Sequence, residues 1–183
     1  NVVRFIPSIP GYIYAVRDDS VYVNLYVGGE GTTSVGGQTV KLKQETRYPW
    51  DGAVKITVRP EQPAEFSLRL RVPGWQTQPL PSDLYRYLPC DSDSSQLIVN
   101  GKPVDVEYEK GYAVLRRVWK AGDVVEQRFA MPVRRVLSHP NIEYNRGRVA
   151  IERGPIVYCV EGADQGGNVM NLFLSDDVTL APE

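Results

Sequence analysis

The sequence predicts an all-β fold: an antiparallel, jelly-roll-like β-sandwich followed by a smaller second β unit, complete or partial. Three observations lead to this prediction. The 183 residues include 25 Val but only 13 Leu and 9 Ala, a balance that suits a pleated sheet better than a helix. Sixteen Gly and 14 Pro interrupt the chain so often that its longest stretch without either is residues 12–27. Several segments alternate apolar and polar residues with the period of a half-buried strand.

Four alternating segments predict the first strands, and each presents one apolar and one polar face. They are residues 21–27, 40–43, 54–58 and 66–72. We expect the following to be core residues on inner sheet faces: Val21, Val23, Leu25, Phe66, Leu68 and Leu70. Residues 28–37 are rich in glycine and are interpreted as a loop. A sheet with one apolar face needs a partner layer, and a second sheet is the natural partner.

The middle of the chain contains an irregular stretch and then a hairpin signal. Residues 76–95 lack periodicity and are rich in Pro, Ser and Asp, so they are interpreted as a long excursion in which residues 82–88 could form one or two helical turns. Asn100-Gly101 lies between two alternating segments, which is the strongest short signal for a β-hairpin. The sequence therefore predicts that Asn100-Gly101 closes an antiparallel hairpin between the segments at Leu97 and Val104.

This pattern divides the chain into three parts. Residues 1–13 are predicted to be a linker, residues 14–131 the first β-sandwich, and residues 132–183 a second, small or partial β-sandwich unit. The last part is short, because an independent sandwich usually takes ~100 residues. The first residues are neither an initiator Met nor the basic and then apolar start of a signal peptide, so we expect a piece of a longer protein. The compartment stays open.

The charge balance excludes two classes of partner. With 21 Lys and Arg against 22 Asp and Glu, the formal net charge is −1. Such a chain lacks the basic excess that nucleic acids or anionic lipids attract. No apolar run approaches the ~20 residues of a membrane span. We therefore expect neither a nucleic acid nor a membrane as a partner.

Few residues could carry metal or nucleophilic chemistry. Cys90 and Cys159 lie far apart with no C-x-x-C pair, so a zinc site made by this chain alone is not expected. Cys159 lies in an apolar, strand-like run, where a buried free thiol is the favoured interpretation over a disulfide. His139 is the single histidine, and we expect a partly exposed loop residue rather than a catalytic base. Acidic pairs such as Asp176-Asp177 are interpreted as turns rather than calcium ligands.

Aromatic residues are the candidate carbohydrate contacts, because exposed rings can stack on the apolar faces of sugar rings. Trp50 and Trp75 follow predicted strand ends, where binding loops cluster. Tyr85 and Tyr87 lie in the irregular excursion. Packing is the favoured interpretation for each tryptophan, including Trp119, since Trp is highly buried on average; the two tyrosines fit either role. Trp50, Trp75, Tyr85 and Tyr87 are kept as the candidate contacts.

Several short phrases, taken together and in order, resemble a known family. They are Tyr14-Ala15-Val16 with Asp18-Asp19 and residues 21–26, Arg71-Val72-Pro73-Gly74-Trp75, Val99-Asn100-Gly101, Gly111-Tyr112 with Arg117, Trp119 and Gly122-Asp123, and residues 145–150 continued by Arg153-Gly154-Pro155 and Val157-Tyr158-Cys159. The ordered set resembles the C-terminal β-sandwich region of glycoside hydrolase family 127, the bacterial β-L-arabinofuranosidases and their relatives. The resemblance covers about residues 1–164.

The resemblance implies an (α/α)6-barrel catalytic domain followed by β-sandwich domains. It also implies that family catalysis uses a cysteine nucleophile beside a zinc held by cysteines and a glutamate. Asn1 and Arg4 match the tail of the family's Cys-Cys-Pro-x-Asn element, so residues 1–13 are expected to link this chain to that catalytic domain. Neither Cys90 nor Cys159 matches a family ligand or nucleophile. We therefore expect no catalytic, cofactor or metal residue in this chain, and zinc is implied only for the catalytic domain.

The preferred hypothesis is a non-catalytic accessory region of a glycoside hydrolase that acts on plant-type glycans in bacterial polysaccharide degradation, with a β-L-arabinofuranosidase-like parent. Its expected partners are the parent's own upstream catalytic barrel and a plant-type oligosaccharide. Two alternatives stay open: a carbohydrate-binding module with its own sugar affinity, and an Ig-like interaction domain. A free-standing enzyme is the least favoured hypothesis.

Overall fold

The computed structural model describes residues 2–77, 80, 82–90 and 94–182, and most of its elements are β-strands. The strands are β1 Tyr14–Arg17, β2 Ser20–Val23, β3 Gly29–Val35, β4 Gln38–Thr46, β5 Ala53–Pro60, β6 Ala64–Arg71, β7 Tyr85–Tyr87, β8 Gln96–Val99, β9 Lys102–Pro103, β10 Glu107–Glu109, β11 Tyr112–Trp119, β12 Asp123–Arg128, β13 Val133–Ser138, β14 Ala150–Arg153 and β15 Ile156–Tyr158. The short helices are α1 Val2–Phe5, α2 Pro10–Ile13 and α3 Gly74–Thr77, with 3-10 turns at Ile6–Ser8, Glu143–Asn145 and Gly162–Gln165. In the described part of the chain, no helix has the length and apolar character needed to cross a membrane.

The chain divides into two compact units. Unit 1 comprises the described residues of Asn1–Thr77 and Ser94–Ala130, and unit 2 comprises those of Gln78–Asp93 and Met131–Glu183. The predicted first sandwich, residues 14–131, differs from unit 1 because β7 pairs with β13 and so belongs to unit 2. The helical turns considered for residues 82–88, within a segment interpreted as a long excursion, do not form at Tyr85–Tyr87, where the backbone is hydrogen-bonded as a strand.

Two sheets form unit 1, and they confirm the predicted all-β sandwich class. The first sheet has the strand order β1-β2-β6-β11-β10, and the second has the order β3-β4-β5-β12-β8-β9. Side chains alternate between the core and solvent along the strands: in β11, Ala113, Leu115 and Trp119 are buried, whereas Val118 is exposed. This alternation is what two sheets with facing apolar sides require.

The core of unit 1 contains nearly all the residues predicted for it. Val21, Val23 and the three apolar residues predicted on β6 are buried. The prediction for Leu25 is wrong, because β2 ends at Val23 and the alternation ends with it. Leu25 is half-buried, and Tyr26 is buried instead.

Trp119 is the largest fully buried side chain of this core. Its ring lies 6.0 Å from that of Phe66, and its Nε1–H donates a hydrogen bond of 3.0 Å to the Phe66 carbonyl oxygen. An unpaired indole N–H would be costly to bury, and this bond removes that cost. The packing interpretation of Trp119 is confirmed.

The pairing of β2 with β6 is parallel, whereas the neighbouring strand pairs are antiparallel. Between these two strands, the chain forms β3, β4 and β5 in the second sheet and then returns. Parallel neighbours need such a crossover connection. The register sets Val21 opposite Leu68 and Tyr22 opposite Arg69.

The hairpin predicted at Asn100-Gly101 is confirmed. β8 and β9 are antiparallel, with Val99 opposite Lys102, so Asn100 and Gly101 form a two-residue loop. Their φ angles of 51° and 77° are both left-handed, as a type I′ turn requires.

The loop predicted for residues 28–37 is wrong, because most of this segment is strand β3. β3 pairs with β4 along its whole length, from Gly29 opposite Gln44 to Val35 opposite Gln38. A Cβ at Gly31 would collide with the ring of Tyr14. The glycine at this position permits a close approach between two segments, which is a common structural role of glycine within a strand.

Unit 2 is a single four-stranded antiparallel sheet with the order β15-β14-β13-β7. Arg135 of β13 fastens the C-terminal segment by donating to the carbonyl oxygens of Asp176, Ser175 and Val178 at 2.7, 3.0 and 2.6 Å. One guanidinium thus satisfies three carbonyls of a segment that has no sheet partner of its own in the described chain.

Asp123, the first residue of β12, joins two turns at one end of the strands of the second sheet. Its carboxylate accepts hydrogen bonds of 2.9 Å from the Lys120 backbone N–H and the Asn100 side-chain amide. Partial burial acts to raise the pKa of Asp123, but these hydrogen bonds to the charged form outweigh burial and lower the pKa.

We predict that Asp123→Ala lowers the free energy of unfolding by about 1–2 kcal/mol at neutral pH, because both bonds are lost. The folded-state pKa lies below the unfolded value of about 3.9, so the ionised carboxylate stabilises the fold above that value, and the effect is lost as pH falls through the folded pKa. Urea unfolding from neutral to acidic pH measures both trends. The exposed Asp105→Ala is the control, and a pH-independent difference would contradict the prediction.

Candidate functional site

Trp50 is the most accessible of the sequence-predicted aromatic contacts. Its side chain is 68% exposed, so the packing interpretation is wrong for this tryptophan. It lies in the loop between β4 and β5. There the backbone N–H of Trp50 donates to the Arg47 carbonyl oxygen at 2.9 Å, and the Arg47 side chain pairs with the Asp51 carboxylate at 3.6 Å. The loop therefore has defined backbone geometry although the indole ring faces solvent.

An aromatic cluster supports this loop from below. The Tyr48 ring lies 5.8 Å from Tyr26 and 5.9 Å from Phe129, and the Trp75 ring lies 5.9 Å from Phe129. Trp75 donates its Nε1–H to the Tyr48 hydroxyl oxygen at 3.0 Å. Trp75 is half-buried, and its only polar side-chain atom is hydrogen-bonded to Tyr48. Trp75 therefore stabilises the loop, whereas the ring of Trp50 is accessible to a ligand.

Tyr26 anchors the cluster in the core of unit 1. Its hydroxyl donates a hydrogen bond of 2.6 Å to the Arg71 carbonyl. Burial raises the pKa of Tyr26 far above its ordinary value, so this phenol stays protonated and neutral.

Tyr85 and Tyr87 lie on strand β7 of unit 2, and their side chains share one face of its sheet with Arg134 and Glu152. The Arg134 guanidinium lies 4.7 Å from the centre of the Tyr87 ring. The Tyr87 hydroxyl donates to Glu152, and burial together with this bond raises the pKa of Tyr87. Tyr85 is exposed. The four predicted contacts therefore divide between the units, two in each.

A further site, which the sequence analysis missed, lies on the outer face of the first sheet in unit 1. It is a cleft of about 370 Å³, lined by Ala15, Arg17, Tyr22, Asn24, Arg69, Glu109, Lys110 and Tyr112. We call it the outer-face cleft. It crosses β1, β2, β6 and β11 and ends at the turn between β10 and β11.

Two half-buried tyrosines and one ion pair organise the outer-face cleft. The Tyr22 and Tyr112 rings meet edge to face at 5.2 Å. Arg69 lies 5.4 Å from the Tyr22 ring centre and bonds to Glu109 at 2.8 Å. This bond acts to lower the pKa of Glu109, which therefore stays ionised at neutral pH.

The polar groups around the tyrosines are also fixed. The Tyr112 hydroxyl donates to the Asn24 amide oxygen at 2.8 Å, and Arg69 Nε donates to the Ser20 hydroxyl at 3.2 Å. Tyr22 and Arg69 could be seen in the sequence as polar-face members of alternating strands. Nothing in the sequence shows that β2 and β6 are neighbours, and that pairing creates the cleft.

The residues that could carry metal or nucleophilic chemistry do not converge. Cys90 and Cys159 are free thiols, and both are exposed. The predicted burial of Cys159 is wrong, because it directly follows β15, the edge strand of the unit 2 sheet. His139 is exposed just after β13. Among the described residues, no group of three His, Cys, Asp or Glu side chains could hold a metal ion.

Comparison with known proteins identifies the chain as part of a carbohydrate-active enzyme family. Residues 20–131 match the family described as "Beta-L-arabinofuranosidase, GH127 middle domain", and residues 133–182 match "Glycoside hydrolase family 127 C-terminal domain". The chain therefore belongs to glycoside hydrolase family 127, as the ordered motifs indicated.

Relatives of known structure and name agree with this assignment. The chain is 33% identical over 186 residues to a non-reducing end beta-L-arabinofuranosidase of Bifidobacterium longum subsp. longum, with 98% of this chain and 25% of that protein covered. A GH127 beta-L-arabinofuranosidase from Geobacillus stearothermophilus T6 shares 45% identity and a TM-score of 0.79 over 97% of this chain and 26% of that one. A GH127 beta-arabinofuranosidase shares 46% identity and the same TM-score over 90% of this chain and 26% of that one. The chain thus spans about a quarter of these relatives.

We predict that Gly52→Ala lowers the stability of unit 1 by about 1–3 kcal/mol, a typical cost of overpacking. The added Cβ would collide with the Phe129 carbonyl oxygen, while the Phe129 N–H donates to the Gly52 carbonyl at 2.9 Å and prevents the backbone from moving away. Thermal unfolding measures the effect. Gly74→Ala is the matched control, since nothing lies within 4 Å of a Cβ there. Equal melting temperatures for the two variants would contradict the prediction.

Proposed function

We propose that this chain is the non-catalytic accessory region of a glycoside hydrolase that acts on plant-type glycans. The observation that carries the proposal is the pair of matches to the middle and C-terminal domains of glycoside hydrolase family 127. The relatives are named as arabinofuranosidases and are about four times as long. The region that carries out hydrolysis is, in this proposal, an upstream catalytic barrel of the parent protein and the partner of this chain.

The side chains present here also favour an accessory role. Zinc prefers several thiolate, imidazole or carboxylate ligands in tetrahedral arrangement. Cys90 and Cys159 are exposed in unit 2 and His139 is exposed after β13, and no metal-holding group lies among the described residues. These residues do not fit the zinc that the family implies, so the proposal assigns that metal to the catalytic domain and no cofactor to this chain.

A second candidate function is a carbohydrate-binding module with its own sugar affinity. The exposed indole of Trp50 favours it, because the loop is anchored by the Tyr48 and Trp75 cluster and so presents the ring with little loss of entropy on binding. The family assignment favours both candidates over an Ig-like interaction domain without sugar chemistry.

We predict that the purified chain neither hydrolyses aryl β-L-arabinofuranosides nor retains stoichiometric zinc. A cysteine nucleophile needs a metal or a cationic neighbour to lower its pKa, and the cysteines here lie outside any cluster of metal ligands in the described chain. A chromogenic assay and elemental analysis measure the two properties. The parent enzyme, assayed in parallel, is the positive control. Turnover abolished by Cys90→Ala, Cys159→Ala or His139→Ala would overturn the accessory assignment.

We predict that Trp50→Ala weakens the binding of arabinan at least roughly tenfold, as for a central aromatic contact, without lowering the melting temperature. The melting temperature should not change because the ring is mostly in solvent. Affinity gel electrophoresis measures binding. Tyr108→Ala removes an exposed ring elsewhere in unit 1 and serves as the control. Unchanged retardation of Trp50→Ala would eliminate the second candidate function at this loop.

A further inference from the structure

The outer-face cleft contains two half-buried aromatic rings that do not belong to the core of unit 1. The outward side of a sandwich sheet normally carries polar residues in contact with water. Here the Tyr22 and Tyr112 rings are half-buried on that side, in a cleft of about 370 Å³. This volume lies within the range of about 300–1,000 Å³ that small-ligand sites occupy. The rings give the cleft an apolar surface of the kind that packs against a sugar ring.

Arg69 and Glu109 supply a donor and an acceptor side by side. Arg69 is held in one orientation by the 2.8 Å bond to Glu109, the 3.2 Å bond to Ser20 and its position over the Tyr22 ring. Its side chain is 18% exposed, and that of Glu109 is 52% exposed. Sugar hydroxyls both donate and accept hydrogen bonds, so two neighbouring hydroxyls can meet the carboxylate and the guanidinium together. Because these groups are already ordered, binding loses little additional entropy.

The charges around the cleft favour a neutral ligand. Arg69 is paired with Glu109, and Arg17 lies 3.6 Å from Asp18. Lys110 is the remaining cation among the lining residues. A site for an acidic sugar or a phosphate would present several unpaired Arg and Lys side chains. Here two of the three lining cations are paired with carboxylates, which leaves a net charge of +1 when Asp18 is counted with the lining residues.

We propose that the outer-face cleft binds a neutral sugar residue of an oligosaccharide. The sugar ring packs against Tyr22 and Tyr112, and its hydroxyls bond to Arg69 and Glu109. This proposal rests on the proposed function for its saccharide context, but it assigns a site separate from the Trp50 loop. Arg69 and Glu109 are ligand-binding residues here, and the Asn24 bond to Tyr112 positions the second ring.

A purely structural role for the ion pair makes a different prediction. In that case Arg69 would only fasten the β10–β11 hairpin to the rest of the sheet, and its loss would change stability but not sugar affinity. Arg116 offers a control ion pair on the same sheet, since it pairs with Asp19 and Glu65 at 3.4 and 3.3 Å but does not line the cleft, although its side chain is more exposed than that of Arg69.

The test is an NMR titration of the isotope-labelled 183-residue chain with arabinotriose, and in a second arm with trigalacturonate. We expect saturable shifts at the backbone amides of Tyr22, Arg69 and Tyr112 with the neutral trisaccharide. We expect Arg69→Gln and Glu109→Gln each to raise the dissociation constant at least about tenfold, since each removes a charge-assisted hydrogen bond. Arg116→Gln should bind as the parent chain does.

Three results would overturn the proposal. If Arg69→Gln and Glu109→Gln both bind arabinotriose with the affinity of the parent chain, the cleft is excluded as the binding site. The cleft is also excluded if Trp50→Ala abolishes binding while Arg69→Gln preserves it. Tighter binding of trigalacturonate than of arabinotriose would exclude a neutral ligand. Thermal unfolding reports whether each variant is folded, and Glu109→Gln carries the test if Arg69→Gln unfolds. None of these results touches the accessory role, which the hydrolysis and zinc measurements decide.

Discussion

Both the core and the outer-face cleft of unit 1 depend on the register in which β2 pairs with β6. With Val21 opposite Leu68, both side chains enter the core, and the adjacent pair of Tyr22 and Arg69 faces outward. Because side chains alternate along a strand, a shift by one residue would turn Arg69 toward the core and expose Leu68. The burial of aliphatic residues on one side of the sheet therefore fixes the position of the aromatic and charged residues on the other side.

The same register explains why the Arg69 side chain is mostly covered although it lies on the outer face. Arg69 is surrounded by the Tyr22 ring, the Ser20 hydroxyl and the Glu109 carboxylate. The hydrogen bond with Glu109 raises the pKa of Arg69 and lowers that of Glu109, so each charge stabilises the other. The two-residue turn at Lys110-Gly111 holds Glu109 at this distance, and both of its residues have left-handed φ angles, 49° and 83°, as a type I′ turn requires. A local turn thus completes a site that a long-range strand pairing begins.

The parts of the fold that the sequence predicted correctly are those set by local chemistry. Asn100-Gly101 favours a type I′ turn through the φ angles it adopts readily, and the alternation in β6 indicates which of its apolar residues enter the core. The errors occur where a distant neighbour decides the structure. From the sequence, residues 28–37 are interpreted as a loop because glycine usually interrupts regular secondary structure. In the fold, Gly31 lies within a strand, and its lack of a side chain leaves room for the Tyr14 ring. β7 becomes a strand only because β13 offers hydrogen-bonding partners.

The candidate sites follow the same division between local and distant information. The Trp50 loop is largely local, since it follows directly from the end of β4, and the sequence placed Trp50 correctly after a strand end. Its support is not local, because the Trp75 ring, which donates to Tyr48 of the loop, packs 5.9 Å from the ring of the distant Phe129. The outer-face cleft has no local signature, because Tyr22, Arg69 and Tyr112 come from three strands that meet only through a crossover. Alternation indicates which residues face outward, and only the strand order indicates which of those residues meet. A polar face in a sequence is therefore a set of possible site residues, and the pairing of β2 with β6 and β11 selects among them.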